Sequence, residues 1–398
     1  MGSNDVEVSY LPPTVIRRVF WILSIAIFTA MVGVGIIVPL LPVYAEELGA
    51  SGIWIGLIFS GFSLSRSLFS PLVGRLSDLW GRKAFIAAGL FLYWLISLTY
   101  IGCNTVGDLV MVRIAQGCAG AMIIPLAMAH VGDIAPKNQE GRYLGSFSVS
   151  LFAGFGFGPL LGGLIMHHFG ITANFYLMSL LCLLAFLVVV LFLPSMKNYK
   201  TIERESLPRY QNLLKSPLSI GLFLFRFSNA FARGSLIAFL PLIAHQQASL
   251  NAAQIGFVIS ANILLVSILQ VPFGRLADRW DRLKLVLAGC SIFSLSMSVL
   301  PSCQVFGQIL FVCLVMGVSS GLALPAASAI AVEEGRRFGM GSSMGFFNLG
   351  MSLGLATGPI LSGQISDMVG VPYAFYLATL VGFAGAFGFA GLAKRGQK

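Results

Sequence analysis

The chain has 398 residues, of which 57% are hydrophobic and only 10% charged. Soluble domains carry charge on about 25% of their residues, so this composition argues against a water-soluble enzyme of this length. The charged minority is lopsided, with 25 Lys+Arg against 15 Asp+Glu and a net of +10, a balance that in a soluble protein would point to nucleic acid.

A bilayer core about 30 Å thick takes roughly 20 apolar residues at helical rise. The sequence predicts twelve such spans, at 19–42, 53–73, 84–103, 109–131, 143–166, 171–194, 219–243, 253–273, 285–303, 306–332, 339–365 and 372–393. The first run is too long for a cleavable leader, and Pro39 and Pro42 read as kinks in a retained span. Most connections are short. The exception is 195–218, a polar linker carrying Lys197, Lys200, Glu203, Arg204, Glu205, Arg209 and Lys215. It divides the chain into two six-helix halves, 1–194 and 219–398.

With the N-terminus in the cytoplasm, 21 of the 25 basic residues fall in cytoplasmic segments and none in the opposite loops, which hold Glu46, Glu47, Asp108 and Asp367. That is the signature of the positive-inside rule. Both termini are therefore expected to be cytoplasmic. Topology accounts for the charge, and a nucleic-acid partner is not needed.

The halves align without a gap at an offset of 200 residues. Gly74-Arg75-Leu76 and Asp78 recur as Gly274-Arg275-Leu276 and Asp278, Trp80 as Trp280, and Arg82 as Arg282. Pro125 matches Pro325, and Gly158-Pro159 matches Gly358-Pro359. Six spans per half is an even number, so the repeats are parallel, with a central path between them.

The turn after span 2 reads Gly74, Asp78, Gly81, Arg82, Lys83, and here the chain resembles the major facilitator superfamily. The second copy keeps Gly274, Asp278 and Arg282 but has Asp281 in place of the second glycine. Arg113, Gln116 and Gly117 in span 4, with Gly154, Gly158, Pro159, Gly162 and Gly163 in span 5, are similar to the twelve-span drug:proton antiporters. The resemblance implies an all-α fold of two bundles that rock about a central site. It also implies a latch at the turns, made of Gly74, Asp78, Gly81, Arg82, Asp278 and Arg282 and joined by Asp133 at the end of span 4. On the residues alone, Gly154, Gly158 and Gly162 share one helical face and let two helix backbones approach closely. Gly350, Gly354 and Gly358 repeat that device in span 11.

Four arginines remain inside the spans: Arg66, Arg113, Arg226 and Arg233. All 15 acidic residues lie in loops, tails or span ends. An arginine at the bilayer centre costs about 2.5–3.5 kcal/mol on insertion scales, so these should face protein or a water-filled cavity. Arg226, Asn229 and Arg233 share one stripe of span 7. They form, with Arg66, Arg113, Asn262 and Asn348, the expected substrate-contacting set; Gln270 is a further polar candidate. Arg113 lies close enough to a span end to snorkel, and Arg66 lies about 10 Å from the end of its apolar run at helical rise.

Exporters of cationic drugs in this family commonly carry a carboxylate in span 1, whereas this span 1 has no ionisable group before Tyr44. An anionic or amphipathic cargo follows. Glu46, His130 and Asp133 are the candidates for proton coupling. The six cysteines sit in or beside apolar stretches without C-x-x-C spacing, so neither a metal site nor a cofactor is expected. The leading expectation is a monomeric exporter of a small molecule in the cell membrane, powered by a proton gradient. Its rivals are an organic-anion or lipid-like transporter working by uniport or symport, and a receptor or scaffold that transports nothing. An embedded enzyme is disfavoured, since the spans hold no H-E-x-x-H, no paired aspartates and no phosphate-binding Gly-Lys loop.

Overall fold

The computed structural model describes residues 12–136, 139–194 and 213–396. Most of the expected linker, together with Lys137 and Lys398, lies outside the described residues. Twelve helices are long and apolar enough to cross a membrane: Pro13–Glu47, Gly52–Trp80, Arg82–Gly102, Val106–Ile134, Arg142–Phe169, Ile171–Phe192, Pro217–Ala248, Ala252–Arg279, Arg282–Ser302, Phe306–Arg337, Ser343–Val369 and Val371–Arg395. They are numbered spans 1 to 12. Helices are the form expected of a spanning chain, because an unpaired backbone group in hydrocarbon costs several kcal/mol.

Most helices outrun their apolar cores. Span 2 continues through Gly74, Arg75 and Asp78 to Trp80, which places Arg66 fourteen residues from either end of that helix. The added turns carry Arg75 and Asp78 and so lie beyond the apolar core, and Arg66 keeps its place about 10 Å from the end of the apolar run. Span 1 breaks after Ile37 and restarts at Leu41, as its prolines predict. Span 4 also breaks, after Gly120, and restarts at Ile124 with Pro125 in the new first turn. Pro325, its repeat mate, sits inside an unbroken helix from Phe306 to Phe338.

The two signature turns reach the same path by different chemistry. Gly81 takes φ +96°, a region closed to most side chains. Asp281 takes φ −61° and caps span 9 instead, its Oδ1 accepting from the Leu283 N–H at 2.9 Å and the Lys284 N–H at 3.3 Å. The substitution that weakens the second motif is thus an N-cap.

Packing follows the repeat. Span 1 lies on spans 5 and 6 as span 7 lies on spans 11 and 12, and span 2 lies on span 4 as span 8 lies on span 10. Glycines set these distances. A Cβ on Gly154 would stand 2.7 Å from the Phe28 carbonyl oxygen, and Cβ atoms on Gly158 and Gly162 would fall on the backbone of Gly35 and Ile36. In the other half, Gly350, Gly354 and Gly358 meet Phe223, Phe227 and Phe231 in the same manner.

The halves meet through span 2 on span 11 and span 5 on span 8. One face of the bundle carries Arg75, Arg82, Arg275 and Arg282 and is called the basic face here; Glu46, Asp108 and Asp367 mark the opposite face. At the opposite face the backbones touch, Gly52 against Gly363 and Gly163 against Ala252, with Gly56 on Pro359 and Gly256 on Pro159 one turn deeper. Eighteen residues, five turns, bring a helix back to the same face. Gly74, Gly274 and Gly145 are the residues five turns from Gly56, Gly256 and Gly163, and a Cβ on any of them would meet nothing within 4 Å. The halves are sealed at the opposite face and splayed at the basic face.

These contacts predict opposite outcomes for two glycines of span 5. Gly158→Val forces span 1 away and should cost about 1–3 kcal/mol as overpacking, seen as a lower apparent melting temperature in detergent. Gly145→Ala, in open space, should leave that temperature unchanged or slightly raised.

Candidate functional site

Each half places its charged turn against its own span end. Arg82 pairs with Asp133 at 3.1 Å and Asp78 at 3.5 Å. In the second half Arg282 pairs with Glu333 at 3.2 Å and Asp278 at 3.8 Å, and its Nε donates to the Ala277 carbonyl. Glu333 is absent from the expected set, although Asp133 at the 200-residue offset lands on it. All these pairs stay within one half, on the splayed side.

Arg113 departs from the expectation of a free cavity arginine. It is buried, donates from Nη1 to Gln116 Oε1 at 2.7 Å and from Nε to the Ile58 carbonyl at 3.3 Å, and lies 4.3 Å over the Phe62 ring. Tyr100 donates to the same Gln116 oxygen at 2.8 Å. Gly117 completes the motif by letting the Phe62 backbone and the Ser65 hydroxyl press against span 4. The spacing R-x-x-Q-G therefore builds a braced joint between spans 2 and 4. Snorkelling is unnecessary, because acceptors lie within reach at that depth.

Arg66 has no such partners among the described residues. Its guanidinium stands 5.4 Å from the Phe62 ring, bordering a cavity that is also lined by Met31, Tyr93, Gly120, Ile124 and Phe155. The break in span 4 forms part of that wall.

Span 7 carries the remaining pair. Arg233 lies midway along the helix from Pro217 to Ala248, with Arg226 two turns earlier. Arg226 leans on span 11, its Nη2 2.7 Å from the Met351 sulfur and its guanidinium 5.0 Å over the Phe347 ring. A thioether is a weak acceptor. Three polar atoms on this stripe are buried without a partner among the described residues: Arg226 Nε, Asn229 Oδ1 and Arg233 Nε. None of the four intramembrane arginines forms an ion pair among the described residues.

The other expected residues disperse. Asn262 donates its amide to the Cys313 carbonyl at 2.6 Å, tying span 8 to span 10. Asn348 is exposed and lies eleven residues from Pro359, about three turns, on the face that meets span 2. It therefore opens on the splayed cleft. Glu46 accepts from Gln246 at 2.7 Å across the seal, far from the arginines, and Gln246 is its own repeat mate. His130 is buried with Nε2 unpartnered. Among the described residues, no group of three or more His, Cys, Asp or Glu could hold a metal ion.

Two parallel six-helix bundles, a cleft open at one face and charged residues at mid-span define a membrane transporter. The profile of the Major Facilitator Superfamily matches residues 23–226 and again 222–397, once on each half. An uncharacterized MFS-type transporter of Methanocaldococcus jannaschii is 32% identical over 358 residues, covering 89% of this chain and 92% of that one. The multidrug resistance protein MdtG of Salmonella arizonae is 25% identical over 383 residues, 93% of this chain and 92% of that one. Among solved structures, a bacterial homologue of the human lysosomal transporter Spinster, inward-facing and unoccupied, superposes with a TM-score of 0.83 at 12% identity over 96% of this chain and 98% of that one. The chain belongs to the major facilitator superfamily.

The two kinds of arginine predict opposite stability effects. Arg113→Gln removes charged hydrogen bonds worth roughly 1.5–3 kcal/mol and should lower the apparent melting temperature. Arg233→Gln removes an unpartnered, desolvated charge and should leave it unchanged or raise it. A loss at Arg233 matching that at Arg113 would contradict the division.

Proposed function

We propose that this transporter exports a small organic anion, or an amphipath with an acidic headgroup, across the cell membrane. The carrying observation is the stripe of Arg226, Asn229 and Arg233, whose unpartnered polar atoms face no carboxylate. Two guanidiniums and an amide form the donor set for a carboxylate, sulfonate or phosphate, and Phe347 and Met351 flank it with apolar surface. Arg66, across the cleft, supplies a third positive charge. Asn348 stands at the entrance.

The positive-inside rule makes the basic face cytoplasmic. Both termini are then cytoplasmic, and the cleft faces the compartment from which an exporter loads. Loaded cargo neutralises the arginines and lets the halves close over the site; the cycle then reopens it on the other side. The MdtG relative, by its printed name a multidrug resistance protein, supports export. The protein works as a monomer, takes its energy from a proton gradient and performs no catalysis. His130 and Asp133 are the proton-coupling candidates nearest the open face, and Glu46 is the one in the seal.

A second reading, uniport or symport of an organic anion or lipid-like molecule, is favoured by one observation. Asp133 is committed to Arg82 and Glu46 to Gln246, so neither touches the arginine stripe.

Proteoliposome flux separates these readings. An anionic probe such as a sulfonated dye should move against its gradient when a pH gradient is imposed, and Arg233→Gln should cut that flux at least ten-fold while the variant stays folded. Flux of the same size without the pH gradient would replace antiport with the second reading. Undiminished anion flux in Arg233→Gln would remove the arginine site.

A further inference from the structure

The seal at the opposite face repeats the positions of its close backbone contacts but not its charges. Span 2 begins at Gly52, and its N-cap Ser51 makes no side-chain hydrogen bond to the helix. The cap comes from the other half. Asp367, in the last turn of span 11, accepts the Gly52 N–H on Oδ1 and the Ile53 N–H on Oδ2, the second at 2.9 Å.

This carboxylate is badly placed for its own helix, whose C-terminal end carries partial negative charge. It is well placed for span 2, whose first N–H groups have no intrahelical acceptor and whose N-terminal end is positive. Its free energy thus depends on the two halves touching. The pseudo-symmetric position offers a comparison. Span 8 is capped from within, Asn251 and Gln254 forming a reciprocal capping box. The residue 200 positions before Asp367 is His167, which is exposed and makes no hydrogen bond across the seal among the described residues. The Glu46–Gln246 bond, the other polar contact between the halves among the described residues, is exposed and joins a repeat pair.

We propose that Asp367 is the latch of this seal: by capping span 2 in trans, its carboxylate holds the transporter closed on the opposite face, and each transport cycle breaks and remakes that cap. The neighbouring glycine contacts set how closely the helices approach, but only Asp367 ties that approach to the capping of a helix end. A helix cap is worth about 1 kcal/mol, roughly a factor of five in a two-state equilibrium. The latch rests on the alternating access of the superfamily and is independent of what is carried.

Distance measurement between genetically encoded spin-label residues at Asn104 and Gln304 tests it, with the six native cysteines left in place. These two sites are exposed repeat mates on opposite-face loops of the two halves. In lipid nanodiscs without substrate, Asp367→Ala should raise the ratio of long to short distances about five-fold over the unsubstituted chain, and Asp367→Asn, which keeps one acceptor oxygen, should raise it less. His167→Ala should leave it unchanged. Distributions for both Asp367 variants that superimpose on that of the unsubstituted chain would overturn the latch. So would an equal shift in His167→Ala, because the effect would then belong to any change on that face.

Discussion

A guanidinium in the hydrocarbon core must find acceptors, water or an anion, and the architecture of this protein follows from meeting that demand in two ways. Arg113 meets it within the protein, through Gln116, the Ile58 carbonyl and the Phe62 ring. Arg226 and Arg233 do not, and each leaves a buried Nε without a partner among the described residues. Charges kept in that condition cost several kcal/mol each after relaxation. They are tolerable only beside a cleft that admits water or a ligand. The splayed basic face provides that cleft, and the absence of an interior carboxylate leaves the positive charge available to cargo.

The repeat supplies the moving parts, and its departures from symmetry give the two halves different roles. The close crossings at the seal fall at matched positions, Gly52 on Gly363 against Ala252 on Gly163, with Ala252 in place of one glycine. Such a joint closes either way without preference. The charged interior is not matched: the positions 200 residues from Arg66, Arg113, Arg226 and Arg233 hold Val266, Cys313, Ala26 and Gly33. The first half braces one arginine and turns another toward a cavity beside a broken helix. The second half lines two arginines along an unbroken span 7 and supplies the Asp367 cap. An asymmetric set of charges is thus built on a repeated framework of helix contacts.

Much of the fold was legible in the sequence, because hydrocarbon allows few alternatives. The twelve apolar runs survive as twelve helices, and the 200-residue offset survives in how those helices pack. Boundaries were less legible, since helices continue past the bilayer and hydropathy does not register where they stop. Arg66, seven residues inside its apolar run, thus lies midway along a helix that continues to Trp80. The break in span 4 was not legible because a proline can open a new helix or sit inside a continuous one, as Pro125 and its repeat mate Pro325 do.

The site was legible as a residue set and not as a division of labour. Four arginines stood out by charge, but whether an arginine is braced or free depends on which carbonyls and amides the packing brings to it. Gln116, three residues on, was within reach of helical spacing, but the Ile58 and Cys313 carbonyls that Arg113 and Asn262 find on neighbouring spans were not. Glu333 and Gln246 were within reach of the offset argument, as mates of Asp133 and Glu46. Asp367 was visible only as an acid on the far side, because its role needs the two halves in contact.

The central claim is that the unpaired arginines select an anion, and ligand-induced thermal stabilisation of the purified protein tests it most directly. Anionic, zwitterionic and cationic compounds matched in size would be compared at two pH values on the unsubstituted chain and on Arg226→Gln and Arg233→Gln. The account predicts stabilisation by anions, lost in both variants. Stabilisation by cations alone, or by anions equally in all three proteins, would contradict it.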